Sequence, residues 1–329
     1  MRTRPEGGNG RSTGGGPTAF TTLRAVRKNG PERSAGPGPG LPDTRTEHET
    51  TDEGEETMTV LVTGATGNVG RHVVAGLLEA GVRVRAMTRT PERAALPEAA
   101  ERVRGDLGDP ASLDAALAGV DRAYLFPLPG TAEEFTARAA KAGVRRIVVL
   151  SSVAAEYADG DYSGDHHTAV ERAVEASGLE WTHVRPGEFM SNLLDWWAPS
   201  IRAEDVVRAP FGATRSTPVH EADIADVAVT ALLEDGHAGK AYSFAGPESL
   251  AKAEQVRILS EVLGREIRFE ELTVNAARTL WLRQGMPAEA VDWLLQDPVD
   301  VPVGPTAERV TGRPARTFAQ WVADHRADF

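Results

Sequence analysis

Val60-Leu61-Val62-Thr63-Gly64-Ala65-Thr66-Gly67-Asn68-Val69-Gly70-Arg71 is the stretch on which the reading of this chain turns. The apolar run Val60 to Val62 has the character of a buried parallel strand. Gly64, Gly67 and Gly70 follow as G-x-x-G-x-x-G, and an apolar helical pattern starts at once with Val69, Val73, Val74, Leu77 and Leu78. A glycine triplet between a strand and a helix suits a dinucleotide. Gly64 permits the sharp turn, Gly67 lets backbone approach a pyrophosphate, and Gly70 lets the helix lie close on the sheet. The helix start offers free N–H groups and a positive dipole end to the phosphates.

The alternation continues outward from this stretch. Helices are expected over 68–80, 109–117, 131–142, 165–176 and 222–233. Strands are expected over 82–87, 103–106, 123–126, 147–150, 180–184 and 241–244, with Arg185-Pro186 stopping the sixth. Repeated strand–helix units at this spacing predict an α/β fold, a Rossmann-type doubly wound parallel sheet. Beyond Pro186 the rhythm breaks. Phe189 to Trp197 is apolar and aromatic, and the tail from Leu250 is mostly helical with a short strand over 267–269. The expected division is a dinucleotide-binding core over 58–186 and 205–247, and a smaller substrate lobe over 187–204 and 248–329.

Residues 1–57 differ in composition. Gly14-Gly15-Gly16, Gly36-Pro37-Gly38-Pro39-Gly40 and the acidic end Asp52 to Glu56 leave little apolar surface to bury, so disorder is expected. Met58, directly before the first strand, suits an alternative start.

The 329 residues are 41% hydrophobic, with a net charge of −12 and no cysteine. That balance argues against nucleic acid and acidic membranes as partners. Disulfides, thiolate metal sites and cysteine nucleophiles are excluded, and no metal site is expected. No apolar run is long enough for a transmembrane helix, and the N-terminus lacks the apolar segment of a secretory signal. A cytoplasmic enzyme is the expectation.

NAD-selective sites place an acid after the second strand to bond the ribose 2′-hydroxyl. Here Thr88-Arg89-Thr90 stands there, and Arg89 suits a 2′-phosphate. NADP is the expected cofactor, with NAD second. Asp106, followed by Leu107, falls where an adenine contact is made or a turn is capped. Phe126 and Ser151 lie at the carboxyl ends of the fourth and fifth strands, the edge where open α/β sheets bind ligands. The cofactor-binding set is Gly64, Thr66, Gly67, Asn68, Val69, Gly70, Arg89, Asp106, Leu107, Phe126 and Ser151.

The ordered motifs resemble those of NmrA-like proteins, atypical members of the extended short-chain dehydrogenase/reductase superfamily. They comprise Val62 to Gly70, Gly105-Asp106-Leu107, Ala142 to Val148, Ser177 to Thr182 with Arg185-Pro186, Phe189 to Asn192, Asp223 to Ala228 and Tyr242 to Pro247. The resemblance implies a bound NAD(P) and relatives that reduce quinones, azo dyes and triphenylmethane dyes. It also implies a second reading, a non-catalytic NAD(P) sensor acting on a regulatory protein partner. The superfamily's usual Tyr-x-x-x-Lys pair is missing: no lysine stands four residues after Tyr124, Tyr157, Tyr162 or Tyr242. That puts a sugar-nucleotide epimerase or dehydratase last.

Where the pair belongs, the helix carries His167 and Glu171, four apart and so on one face. His167 is the candidate proton donor, with Glu171 orienting its ring and raising its pKa. Phe189, Met190, Asn192, Trp196 and Trp197 are the candidate substrate pocket. The expected function is an NAD(P)H-dependent reductase of an electron-poor aromatic acceptor such as a quinone or dye, acting as monomer or homodimer on a small aromatic substrate.

Overall fold

The computed structural model describes residues 58–157, 160–296 and 300–329, and the expectations for 1–57 lie outside them. Strands β1 (Thr59–Val62), β2 (Arg83–Thr88), β3 (Glu101–Arg104), β4 (Arg122–Leu125), β5 (Arg146–Leu150) and β6 (Glu180–Pro186) alternate with helices α1 (Gly70–Glu79), α2 (Leu113–Leu117), α3 (Ala132–Ala142) and α4 (Tyr162–Glu175). Then come α5 (Asn192–Trp196), α6 (Ala198–Glu204), β7 (Val206–Ala209), β8 (Arg215–Ser216), α7 (Glu221–Leu233) and β9 (Lys240–Phe244). The chain closes with β10 (Leu250–Ala251), α8 (Lys252–Leu263), β11 (Arg268–Glu271), α9 (Val274–Arg283), α10 (Ala288–Leu294), α11 (Glu308–Thr311) and α12 (Phe318–Asp324).

Seven strands form one sheet in the order β3-β2-β1-β4-β5-β6-β9, and every neighbouring pair in it is parallel. This is the doubly wound sheet expected. All four residues of β1 are buried, as a strand covered on both faces must be. One face packs against α1 and α7 through Val73, Val74, Leu77, Ile224, Val227 and Ala228. The other packs against α2, α3 and α4 through Leu113, Leu117, Phe135, Ala139, Val170 and Val174.

Three sequence boundaries shift, each for a local reason. Helix α4 begins at Tyr162 rather than 165, because Asp161 accepts hydrogen bonds from the Ser163 and Gly164 amides and caps it earlier. Strand β6 runs through Arg185 and Pro186, which pair with Ser243 and Phe244. Pro186 cannot donate, but the Gly187 amide takes the next bond to the Phe244 carbonyl at 2.9 Å. Strand β7 pairs with β11 outside the large sheet, and Val207 lies in the smaller lobe's core with Ile201, Leu259, Phe318 and Trp321. The stretch from 205 to β8, assigned to the dinucleotide core from sequence, therefore packs with the lobe.

The C-terminal helix is latched to α7 by buried polar groups. Glu221, fully buried, accepts from Trp321 Nε1 at 3.1 Å and bonds His325 Nε2 at 2.6 Å. His325 Nδ1 meets Asp328 at 2.8 Å. Burial alone would lower the His325 pKa, but the bonds to Glu221 and Asp328 outweigh it and raise the value. A raised histidine contributes stability that is complete below its unfolded pKa of about 6.5 and lost as pH rises through the folded value. Hydrogen exchange, corrected for intrinsic rates, is therefore expected to report less protection of α12 on the alkaline side. Glu221→Gln should cost about 1.5–3 kcal/mol, the worth of bonds to a charged group, and flatten that dependence. An unchanged pH profile in the variant would remove the latch.

Candidate functional site

The cradle is built where β1 meets α1. Gly64 has φ of +58°, a conformation most residues avoid. A Cβ on Gly70 would stand 2.2 Å from the Gly64 carbonyl oxygen and 2.9 Å from its carbon. The helix start is thus held at contact distance from the turn. Thr63, fully buried, donates to the Tyr124 carbonyl at 3.1 Å and accepts from the Phe126 amide at 2.8 Å. This couples the glycine turn to the loop after β4.

Above this edge lies a cavity of about 520 Å³. Gly64, Thr66, Gly67, Asn68, Val69, Gly70, Arg89, Asp106, Leu107, Phe126, Phe189 and Asn192 line it. It reaches from Arg89, after β2, past β1, β4 and β5 to Asn192, after β6. Four strand spacings of about 4.8 Å make that roughly 19 Å, a length that suits a dinucleotide better than a single nucleotide. The residues fit such a group. The cradle has no room for a side chain at Gly70, helix α1 starts at its edge, and Tyr124 and Ser191 of the cavity wall carry buried hydroxyls without partners among the described residues.

At the β2 end, Arg89 is exposed to the cavity. The nearest acid in sequence, Glu92, pairs with Arg104 at 3.2 Å, and Arg104 also donates to the Arg89 carbonyl at 2.8 Å. Arg104 therefore occupies the acid and steadies the turn that carries Arg89. Asp106 lines the cavity while one of its oxygens accepts from the Gly108 amide at 2.9 Å, so it caps the turn as well.

Other expected site residues lie elsewhere. Ser151 is buried and does not line the cavity; its hydroxyl donates to Glu171 at 2.5 Å. Met190 and Trp197 are 1% and 4% exposed and belong to the smaller lobe's core. Trp196 is exposed and also outside the cavity lining.

Glu171 is not His167's partner. It accepts from Arg185 Nε at 2.8 Å and Nη2 at 2.5 Å besides Ser151. Burial pushes its carboxyl up, but the bonds from Arg185 and Ser151 hold it below the usual range overall. His167 is shifted opposite to the expectation: burial lowers its pKa, outweighing the Glu171 charge. Its Nδ1 is buried without a partner among the described residues.

Tyr124, Leu128, Leu150 and Ser191 line the cavity and were missed from sequence. The strand positions of Tyr124 and Leu150 read as core, and Leu128 and Ser191 lie in the segments after β4 and β6. No helix among the described residues is long and apolar enough to cross a membrane.

Glycine cradle, strand-end cavity and an arginine after β2 define a Rossmann-type, dinucleotide-dependent oxidoreductase. The chain belongs to the NAD(P)H-binding family, whose model matches residues 64–235. It is 45% identical over 280 residues to the (4-alkanoyl-5-oxo-2,5-dihydrofuran-3-yl)methyl phosphate reductase of Streptomyces griseus, covering 82% of this chain and 99% of that one. It is 35% identical over 284 residues to the NAD(P)H azoreductase of Xenophilus azovorans, again over 82% and 99%. An NADPH-dependent quinone oxidoreductase of Escherichia coli, solved with NADPH, aligns with a TM-score of 0.66 at 25% identity, over 80% and 99%. The protein is accordingly an NAD(P)H-dependent oxidoreductase of the NmrA-like kind, an enzyme rather than a sensor.

Proposed function

We propose that the protein reduces a conjugated, electron-poor acceptor with NADPH. One observation carries this. Beyond the cradle, the cavity wall is Phe126, Leu128, Leu150 and Phe189 with Tyr124, Ser191 and Asn192, and the charged lining residues among the described ones are Arg89 and Asp106, at the other end. A reaction here gains positioning and exclusion of water, not a strong built-in acid. Such a site suits acceptors whose reduced anion is delocalised, and a simple ketone is a poor fit.

NADPH supplies the hydride when bound. The glycine cradle at the start of α1 would take its pyrophosphate, and Arg89 would take the 2′-phosphate. Phe126, Leu128 and Phe189 would offer its ring apolar surface. Quinones, azo bonds and triphenylmethane cations fit this chemistry. So does an alkene with two carbonyl groups on one of its carbons, as in the alkanoyl-dihydrofuranone that names the Streptomyces griseus relative. The 45% identity makes that phosphorylated lactone the first compound to test.

His167 lies outside the cavity lining and burial lowers its pKa, so it takes no part as an acid. Glu171 enters as the acid that fixes α4. The proton comes from water. The active species is a monomer or homodimer in the cytoplasm, needing no regulatory protein; light scattering after size exclusion checks the first point.

The test is NADPH oxidation against a panel of a quinone, an azo dye, a triphenylmethane dye and the lactone phosphate. Turnover is expected with at least one member and none with simple ketones. Tight NADPH binding with no turnover of any member would sink the reading. His167→Ala should lower kcat by no more than about threefold. A loss of about a hundredfold with one limb of the pH profile missing would restore it as a general acid. Arg89→Ala should raise the Kd of NADPH by about thirtyfold, the effect of losing charge-assisted bonds, and leave NADH within a factor of about two. Equal losses for both cofactors would defeat the 2′-phosphate assignment.

A further inference from the structure

Two residues of the cavity wall carry buried hydroxyls that bond nothing among the described residues: Tyr124 through Oη and Ser191 through Oγ. Each residue is 1% exposed. Buried hydroxyls in folded proteins nearly always have a partner. Ser191 stands at the N-cap of α5, where serine ordinarily accepts from an amide two or three residues on. Here its side chain caps nothing. Tyr124 sits on the β4 face that packs under α1 and α7, among Val62, Val148, Val184 and Phe244, none of which can bond a phenol. The local structure therefore leaves both groups for something that enters the cavity.

Their place in the sheet indicates what enters. Tyr124 comes from β4 and Ser191 follows β6, with Leu150 from β5 between them. Arg89 lies at the opposite side, after β2, and the glycine cradle after β1 lies between the two ends. With pyrophosphate on the cradle and adenosine toward Arg89 and Asp106, the nicotinamide half reaches Tyr124 and Ser191. That ring carries a carboxamide, which is acceptor and donor at once. Two hydroxyls, each able to donate and accept, complement it. A quinone oxygen or a phosphate offers acceptors alone. Leu150 and Phe189 supply apolar surface for the ring itself. Burial raises the Tyr124 pKa strongly, so the phenol stays protonated and remains a donor.

We propose that Tyr124 and Ser191 hold the nicotinamide carboxamide and set the ring's orientation for hydride transfer. The proposal rests on the NAD(P)H reading above and adds the two side chains that read the reactive end of the cofactor.

The test is equilibrium binding to the full chain, with Tyr124→Phe, Ser191→Ala and the double variant. Three probes are used: NADPH, its 3-acetylpyridine analogue, in which a methyl group replaces the amide nitrogen, and 2′,5′-ADP, which lacks the nicotinamide half. Each single variant should weaken NADPH by about tenfold, the effect of one hydrogen bond lost with its partner left unsatisfied. 2′,5′-ADP should bind all four proteins alike. Wild type should prefer NADPH to the acetylpyridine analogue, and the double variant should lose that preference. Equal weakening of NADPH and 2′,5′-ADP would mean that the hydroxyls serve structure, and unchanged NADPH binding would mean that they serve nothing in the cofactor site; either overturns the proposal. A wild-type protein that binds neither NADPH nor 2′,5′-ADP would instead overturn the cofactor reading on which it rests.

Discussion

Gly70→Ala should abolish measurable NADPH binding, raising Kd by more than about a hundredfold. The reason is geometric. The new Cβ would fall 2.2 Å from the Gly64 oxygen, 2.9 Å from the Gly64 carbon and 3.1 Å from the Ala65 Cα. All three are backbone atoms, so no side chain can swing aside. Either α1 retreats or the turn opens. In both cases the cradle loses the close turn-to-helix approach that would receive a phosphate. Gly64 cannot easily follow, because its φ of +58° already holds the turn in a conformation few residues adopt. Gly81 supplies the control. It ends α1, also at positive φ, but a Cβ there meets nothing within 4 Å. Gly81→Ala should cost about 1 kcal/mol of stability from backbone strain and leave Kd unchanged. Calorimetric titration of both variants with NADPH separates the two. A Gly70→Ala protein that binds within tenfold of wild type would show that the cradle does not carry the phosphates.

The same glycine stretch shows what a sequence can disclose. Period and punctuation are local, so the parallel sheet, its element order and the cradle were legible in Val60 to Arg71 and the strand–helix alternation that follows. Ends of elements were less so, because a cap acts through a side chain whose target is visible only in three dimensions. Asp161 reached back to start α4 early, and the β9 partner carried β6 through a proline. Site residues divided along a similar line. Of those read from the cradle or from a strand end, Arg89 and Phe126 lie on the cavity and Ser151 does not. Those read from the apolar stretch after Pro186 divided: Phe189 and Asn192 line the cavity. Met190 and Trp197 are as apolar as a pocket wall but face the lobe core. The spacing of His167 and Glu171 placed both on one helical face, yet spacing carries no information about a third residue. Arg185 sits on a different strand and takes Glu171 away.

That third residue predicts the largest stability effect. Arg185→Met should destabilise the protein by about 3–5 kcal/mol, because it leaves a buried carboxylate without its charge partner. The Glu171 side chain is 4% exposed and Arg185 18%, so solvent screens the pair little. Ser151 remains as one donor, but it is neutral. In a protein of this size the melting temperature should fall by roughly 10 °C. The pH dependence checks the cause. Glu171 is held below its usual pKa in the folded wild type, so its contribution is present above the unfolded value of about 4.3 and is lost as pH falls through the folded one. Without Arg185, burial dominates and the Glu171 pKa rises. The folded variant then takes up a proton and gains stability as pH falls toward that raised value. The gap between wild type and variant should therefore be widest near neutrality and narrow under acid. Glu171→Leu combined with Arg185→Met should recover most of the loss, since two apolar groups replace two charges that burial had penalised. NADPH affinity should change little in the double variant, because neither residue lines the cavity. If the single variant lost NADPH binding but kept its melting temperature, Arg185 and Glu171 would belong to the cofactor site and not to the frame that holds α4 against β5 and β6.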